Sequence, residues 1–450
     1  MRWTCDLTQG NIRRGLIVFS LPLIAGNLLQ QTYNIADTMI VGQFLGSAPL
    51  AAVGSAYTLM TLLTSILIGL CMGSGVVFSQ LYGAKELERM RTAIANAFIL
   101  IALLAIVLEL AAYGLLEQII RWLNIPDEVI PDIRVYLQII LFGILATFIY
   151  NFFAAALRSV GNSAVTLYFL LFSSLLNIGL DLLFVLAFHW GVAGAAIATV
   201  IAQFASAIGI GIYFFRRQPM LRPRRENLRL NVPLLRRISS VSLLTSVQQS
   251  IMNFGILMIQ GLVNDFGLNV MAAFTAGVKI DSFAYSPAQD FANGFATYVA
   301  QNAGAGNTER VRKGIRTAAL MSVVFCAVIS VAVFLLAKPL LTIFIDPSEV
   351  EQLAIGAKYL RIEGACYIGI GMLMLFYAIF RGLERAGMSV ILTVISLGTR
   401  VVLSYSLAPH LGLEIIWWSI PIGWFLADLV GLVCYRGALR KLKEREQPQA

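Results

Sequence analysis

The 450-residue chain is expected to be an all-α integral membrane protein of twelve transmembrane helices, arranged as two six-helix bundles related by a pseudo-twofold axis along the membrane normal. Three observations lead to this expectation. Hydrophobic residues make up 58% of the sequence and charged residues only 13%, outside the range of a soluble globular domain. Apolar stretches of about 20 residues or more, the length a ~30 Å hydrocarbon core asks of a helix, recur on both sides of a single basic interruption, residues 216–237. The sequence before that interruption also repeats after it.

The repeat is read position by position. Moved forward by 221 residues, Gly46 falls on Gly267, Ala51 and Ala52 on Ala272 and Ala273, Gly73 on Gly294, Gln80 on Gln301 and Gly83 on Gly304. Pro126, Glu128 and Val129 fall on Pro347, Glu349 and Val350, and His189 with Gly191 on His410 with Gly412. A slip of two residues then brings Arg158 onto Arg381 and Asn177 onto Arg400. So many coincidences at nearly one offset mark a duplicated unit.

In the first half, spans are expected near residues 15–41, 50–82, 90–116, 130–157, 163–188 and 192–215. In the second half they are expected near 238–263, 270–303, 312–337, 352–380, 387–408 and 413–435. The corresponding domains are an N-terminal bundle at 1–215, a basic cytoplasmic linker at 216–237, a C-terminal bundle at 238–437 and a cytoplasmic tail at 438–450. Each half has an even number of spans, so both enter the membrane in the same orientation, the parallel-repeat arrangement of some transporters. Such halves meet at a central cleft. Pro219, Pro223 and Pro233 point to a linker that packs loosely.

Charge checks the count, because an error of one helix would invert every later loop. The linker holds eight arginines against one acid, Glu226. With the N-terminus inside, only Arg121, Arg134, Lys279, Lys338, Lys358, Arg361 and Arg400 of the 33 basic residues are not at or beside a cytoplasmic segment. Both termini are therefore expected in the cytoplasm. The first apolar run, near Gly15, is long enough to span instead of ending in a signal-peptide cleavage site.

Several chemistries lack material. The net charge of +9 lies beside hydrophobic spans and forms no patch with interleaved aromatics, so no nucleic-acid partner is expected. The five cysteines are odd in number and widely spaced, which speaks against a disulfide framework or a metal site. His189 and His410, the two histidines, lie near outer helix ends, and no phosphate-binding or hydrolase motif is present, so no enzyme and no cofactor is expected. Gly69-x-x-x-Gly73 reads as close helix packing.

Polar residues inside the spans single out a site. In the first helix Asn27, Gln30, Asn34 and Asp37 follow steps of 3, 4 and 3, which places all four on one face. Pro22 in the same helix is a bending point. In the fifth, Asn177 and Asp181 are i and i+4. An acid in a bilayer is either a neutral, hydrogen-bonded packing group or part of an ion path, and its rarity favours the ion path for both aspartates. The repeat sharpens this: the mates of Asn34, Asp37, Asn177 and Asp181 are Gly255, Met258, Arg400 and Ser404. The scaffold is duplicated and this acid pair is not, so a cation site confined to the first bundle is expected. The second half has its own charges in Lys279, Asp281, Asp290, Glu363 and Arg400, read either as pairs between helices or as a substrate cavity, to which Gln30, Gln249 and Asn253 also belong. Arg158 and Arg381 read as helix-end anchors.

Four stretches carry a family resemblance: SLPLIAGNLLQQTYNIADTMIVGQFLG from Ser20, LRSVGNSAV from Leu157, TAGVKIDSFAYSP running on to FATYVAQNAGAGNTERVRKG, and IFRGLERAG from Ile379. With the two six-helix halves, the chain resembles the multidrug and toxic compound extrusion (MATE) family, nearest its prokaryotic DinF-like branch. The resemblance implies secondary active efflux of cationic or amphipathic compounds from a prokaryotic plasma membrane, driven by H+ or Na+. It further implies that Asp37, Asn177, Asp181 and Thr199 take the cation, Na+ being the one metal ion in view, and that Pro22 matches a proline associated with bending. The acids that other branches place in the seventh and tenth helices are replaced here by Gln248 and Gln249 and by the neighbourhood of Gly369 and Ile370. Glu363 is not equated with them. A monomer is expected. The alternative is a lipid or lipid-linked saccharide flippase, for which Lys279 and Arg400 are candidate phosphate contacts. A membrane-embedded enzyme or channel fits less well.

Overall fold

The computed structural model describes residues 5–122 and 126–446, and among them there is no β-strand. The first half contains α1 (Ile12–Leu45), α2 (Ser47–Gly83), α3 (Leu87–Gly114), α4 (Leu116–Trp122), α5 (Ile130–Ile140), α6 (Gly143–Ser159), α7 (Ala164–Asp181) and α8 (Gly191–Arg217). The second contains α9 (Val232–Asn264), α10 (Leu268–Gly304), α11 (Thr308–Leu341), α12 (Val350–Gly364), α13 (Tyr367–Gly382), α14 (Ala386–Leu411) and α15 (Glu414–Glu446). A π-helical segment, Leu182–Ala187, prolongs α7. Of the tail expected at 438–450, residues 447–450 lie outside the described residues, and α15 runs through the rest.

Among the described residues nine helices are long and apolar enough to cross a membrane, and two bent pairs bring the number to eleven if each pair is one span. α10 is not among these, because it carries Lys279, Asp281 and Asp290 and many small polar residues. Its 37 residues still reach about 55 Å, well beyond a ~30 Å core. The twelve expected spans thus each correspond to a helix or a bent pair. The fourth and tenth differ from the straight helices foreseen: α5 with α6 bends by 42° and α12 with α13 by 51°. Gly143 opens α6 and Gly364 closes α12, and glycine is a poor helix former that tolerates a break.

The chain folds into two compact units. One takes Leu21–Ser246 with the segment ahead of Leu7. The other takes Leu7–Ser20 with the chain from Val247 onward. Two helices therefore change unit along their length, α1 after Ser20, just ahead of Pro22, and α9 after Ser246.

In the first unit α2 packs on α6, and α6 and α7 pack on α8. A phenylalanine cluster fills this core, with Phe98 edge-on to Phe152 at 5.2 Å and Phe153 at 4.9 Å from Phe214. The start of α9 lies against α2 through glycine. A Cβ at Gly69 or Gly73 would stand 2.4 Å from the Cα of Ser246 or Ser242, and Ser74 Oγ meets Ser242 Oγ at 2.9 Å. The linker is not loose. Asn96 on α3 donates to Arg229 O at 3.2 Å and accepts from Asn231 N–H at 3.0 Å, while Arg91 donates to Met220 O at 2.9 Å. Prolines restrict a linker's backbone, but here α3 satisfies the polar groups that remain.

In the second unit Phe274 stacks on Trp417 and meets Tyr359 edge-on, each at 5.3 Å. The Arg310 guanidinium donates to three carbonyls of the N-terminal segment, Leu7 O at 3.2 Å, Gln9 O at 2.6 Å and Gly10 O at 2.9 Å. Both units open their second long helix from a glycine in the left-handed region, Gly46 at φ +94° and Gly267 at φ +98°, where a side chain would be strained.

Candidate functional site

The polar face of α1 is only partly turned inward. Gln30 is exposed and Asn27 and Asn34 are half-buried, and Asn34 contributes its carbonyl to the Thr38 hydroxyl at 2.7 Å. Asp37 is the member of the stripe that reaches another acid. Its carboxyl is in hydrogen-bonding contact with that of Asp181, the last residue of α7. Asp181 is fully buried and Asn177, one turn earlier, nearly so. The π-helical segment starts immediately after Asp181, and such widened turns recur at functional sites.

The Asn177 amide bridges Asp181 to α8. In the orientation that satisfies both ends, its nitrogen donates to Asp181 Oδ2 at 3.3 Å and its oxygen accepts from Thr199 at 3.2 Å. The Thr199 hydroxyl also lies 3.0 Å from Ala195 O, the usual bond back to the preceding helical turn. Asp37 Oδ1 and Asp181 Oδ1 have no donor, and none of the groups acting on the two carboxyls is basic. The four residues singled out for the cation are thus brought together by α1, α7 and α8. Two tyrosines join them that the sequence reading missed. Tyr33, one turn before Asp37, could have been found from its spacing, whereas Tyr136 on α5 carries no local signal.

The residues considered for a substrate cavity are dispersed. Asp281, Glu363 and Arg400 come together in the second unit. Lys279 does not join them; it is exposed and stands over the Phe344 ring at 5.7 Å. Asp290 is buried about 13 Å further along α10 from Asp281, by the helical rise. Gln249 and Asn253 are half-buried on α9. Arg381 donates to Asn293 Oδ1 at 2.8 Å. Among the described residues no group of three or more His, Cys, Asp or Glu is placed to hold a metal ion.

The MatE family profile matches this chain twice, over residues 22–183 and 242–406, once in each repeat. The chain belongs to the MatE family. As a MATE protein it is a multi-pass membrane transporter and not an enzyme. It is 29% identical over 394 residues to the "Probable multidrug resistance protein YpnP" of Bacillus subtilis (strain 168), covering 87% of both chains. It is 25% identical over 448 residues to the "Probable multidrug resistance protein YoeA" of the same organism, covering 98% of this chain and 96% of that protein. A solved structure of MATE in complex with MaL6 superposes with a TM-score of 0.92 at 23% identity, over 98% of this chain and 99% of the other. That likeness establishes the fold.

Proposed function

We propose that this MATE protein exports cationic or amphipathic compounds by antiport against H+ or Na+, and that the cation binds at Asp37 and Asp181 with Asn177 and Thr199 completing its oxygen shell. One observation supports this above the others. A half-buried acid side chain, Asp37, touches a fully buried one, Asp181, each keeps an oxygen without a donor, and none of the groups acting on them is basic. Carboxylates so placed cannot both stay charged, so a positive species must sit with them. A proton can bridge the two carboxyls, and Na+ favours the same hard oxygen donors. The relatives' names, which refer to multidrug resistance, agree with the export role.

The coupling runs through α1. Asp37 is about 22 Å along the helix from Pro22, which cannot donate to the carbonyl of Val18 and so leaves a weak point. Loading the pair removes negative charge from one end of α1, and the helix bends at the other end as substrate is released outward. One charge entering through ~100 mV supplies about 2.3 kcal/mol, roughly a 50-fold concentration ratio.

The test is uptake of a panel of cationic dyes and labelled lipid precursors into inside-out vesicles, with proton and sodium gradients imposed separately. Dye uptake driven by one gradient and abolished by Asp37→Asn is expected. Wild-type uptake by Asp37→Asn, or translocation of lipid precursors without dyes, overturns the reading.

A further inference from the structure

The linker carries a surface that neither the core nor the proposed antiport site uses. Its 3₁₀ turn, Arg225–Leu228, and the residues after it run along α3. The Asn227 amide donates to Glu88 Oε2 at 3.4 Å and to Thr92 Oγ1 at 3.2 Å, and further along Asn96 bonds Arg229 O and Asn231 N–H. Glu88 and Asn96 are about 12 Å apart by helical rise. Over that distance α3 changes character. Glu88, Arg89, Arg91 and Thr92 are polar, and the apolar run begins at Ala93. The segment is therefore fastened where the cytoplasmic interface meets the hydrocarbon.

Three apolar side chains on this fastened segment lack cover. Leu228, Leu230 and Val232, every second residue, are 54%, 65% and 69% exposed. The scaffold does not demand this. At the 221-residue offset their mates are Leu7, which is 1% exposed, and Gln9 and Asn11, which are exposed but polar. The linker also carries cations. Arg229 lies between two of the apolar residues and Arg222, Arg224 and Arg225 precede them; all four are exposed, and among the described residues none is in an ion pair. At the same offset, their mates have uncharged side chains.

An exposed apolar strip marks an interaction surface, and guanidinium groups beside it select a partner with phosphate. Anionic phospholipid offers both, acyl chain for the leucines and phosphate for the arginines, and it surrounds the protein at this depth. A second copy docking through the same strip would bring the same arginines and be repelled. We propose that residues 222–232 form a binding strip for anionic phospholipid of the cytoplasmic leaflet. Leu228, Leu230 and Val232 enter the acyl region nearest the headgroups, and the four arginines hold headgroup phosphates. The strip shares no residue with the site proposed for antiport, so either can fail without the other.

The test uses full-length Leu230→Trp protein in nanodiscs of equal phosphatidylcholine and phosphatidylglycerol, one lipid at a time brominated near the headgroup end of its acyl chains. Bromine quenches an indole at short range, and subtracting the wild-type emission isolates the added one. Quenching of that emission by both lipids is expected, with a local preference for phosphatidylglycerol of about fivefold or more. Changing the four arginines to Gln in the same protein should bring the preference to about one while the quenching remains. If that variant does not fold, salt decides: at 1 M, where the screening length is about 3 Å, the preference should vanish. Added emission that neither lipid quenches, whether the residue faces water or protein, overturns the proposal. So does equal quenching by both lipids at low salt, or a preference that survives both the arginine changes and high salt.

Discussion

The first unit sets half-buried Asp37 against buried Asp181 with an amide and a hydroxyl beside them, and the second buries Asp281 against Glu363 with two phenols and an arginine. At each acid of one unit the repeat places a non-acidic residue in the other: Met258 and Ser404 for the first pair, Met60 and Phe142 for the second. Duplication preserved what folding requires, such as the left-handed glycines Gly46 and Gly267 and the bent fourth and tenth spans. It did not preserve the charges. Buried acids in a membrane cost stability, so their appearance in different places in the two halves marks divergence in function on a common scaffold.

The strongest test of this difference exchanges the acids between halves. Asp37→Met is expected to lower gradient-driven export roughly tenfold or more, about 1.4 kcal/mol in barrier terms. Met258→Asp, which places an acid at the repeat mate, should not restore it. Restored export in the double variant, measured in inside-out vesicles, would mean that the two halves are interchangeable.

A smaller effect separates packing from chemistry. Gly73→Ala drives a Cβ to 2.4 Å from the Ser242 backbone and is expected to cost about 1–3 kcal/mol, seen as a lower melting temperature in detergent. Gly398→Ala on α14 meets nothing within 4 Å and should be neutral or stabilising by about 0.5–1 kcal/mol, since alanine favours helix. Equal destabilisation by both would contradict the close approach at α2.

The smallest effect belongs to an exposed ion pair. The Arg134 guanidinium, 2.8 Å from Glu117, holds that carboxyl below the usual glutamate range. A group depressed in the folded chain contributes its stability above the ordinary glutamate value and loses it as pH falls through the lowered one. Both partners are open to water, so the contribution is slight. The melting temperatures of wild type and Glu117→Gln should differ little at pH 7 and converge in acid. A large gap at neutral pH would show that surface charge matters more here than the buried pairs do.

Much of this was legible in the chain. Among the described residues eleven of the twelve expected spans follow from apolar length, each bent pair counted once, while α10 is long enough but more polar. The polar faces that carry Asp37 and Asp181 followed from two short-range spacings, and their missing repeat mates set the two acids apart; their union at one site with Thr199 was what the family resemblance implied. Short-range spacing could not join Asp281 to Glu363, which come from helices far apart in sequence. The chain does carry for this pair the signal that marks the first one, an acid whose repeat mate is not acidic, here Met60 for Asp281 and Phe142 for Glu363. Nor could spacing foresee that α1 and α9 each change unit partway, or that α3 binds the linker. Those features depend on which surfaces meet, as do the bends at Gly143 and Gly364, where glycine permits a break but does not demand one.

The most direct test of the first site is to count the cations exchanged when a transported dye binds purified protein, by calorimetry in buffers of different ionisation heat and by sodium titration. Wild type is expected to release at least one H+ or Na+ per dye bound, and Asp37→Asn/Asp181→Asn protein to release correspondingly less while still binding dye. An unchanged count in the double variant would contradict placement of the coupling cation on α1 and α7.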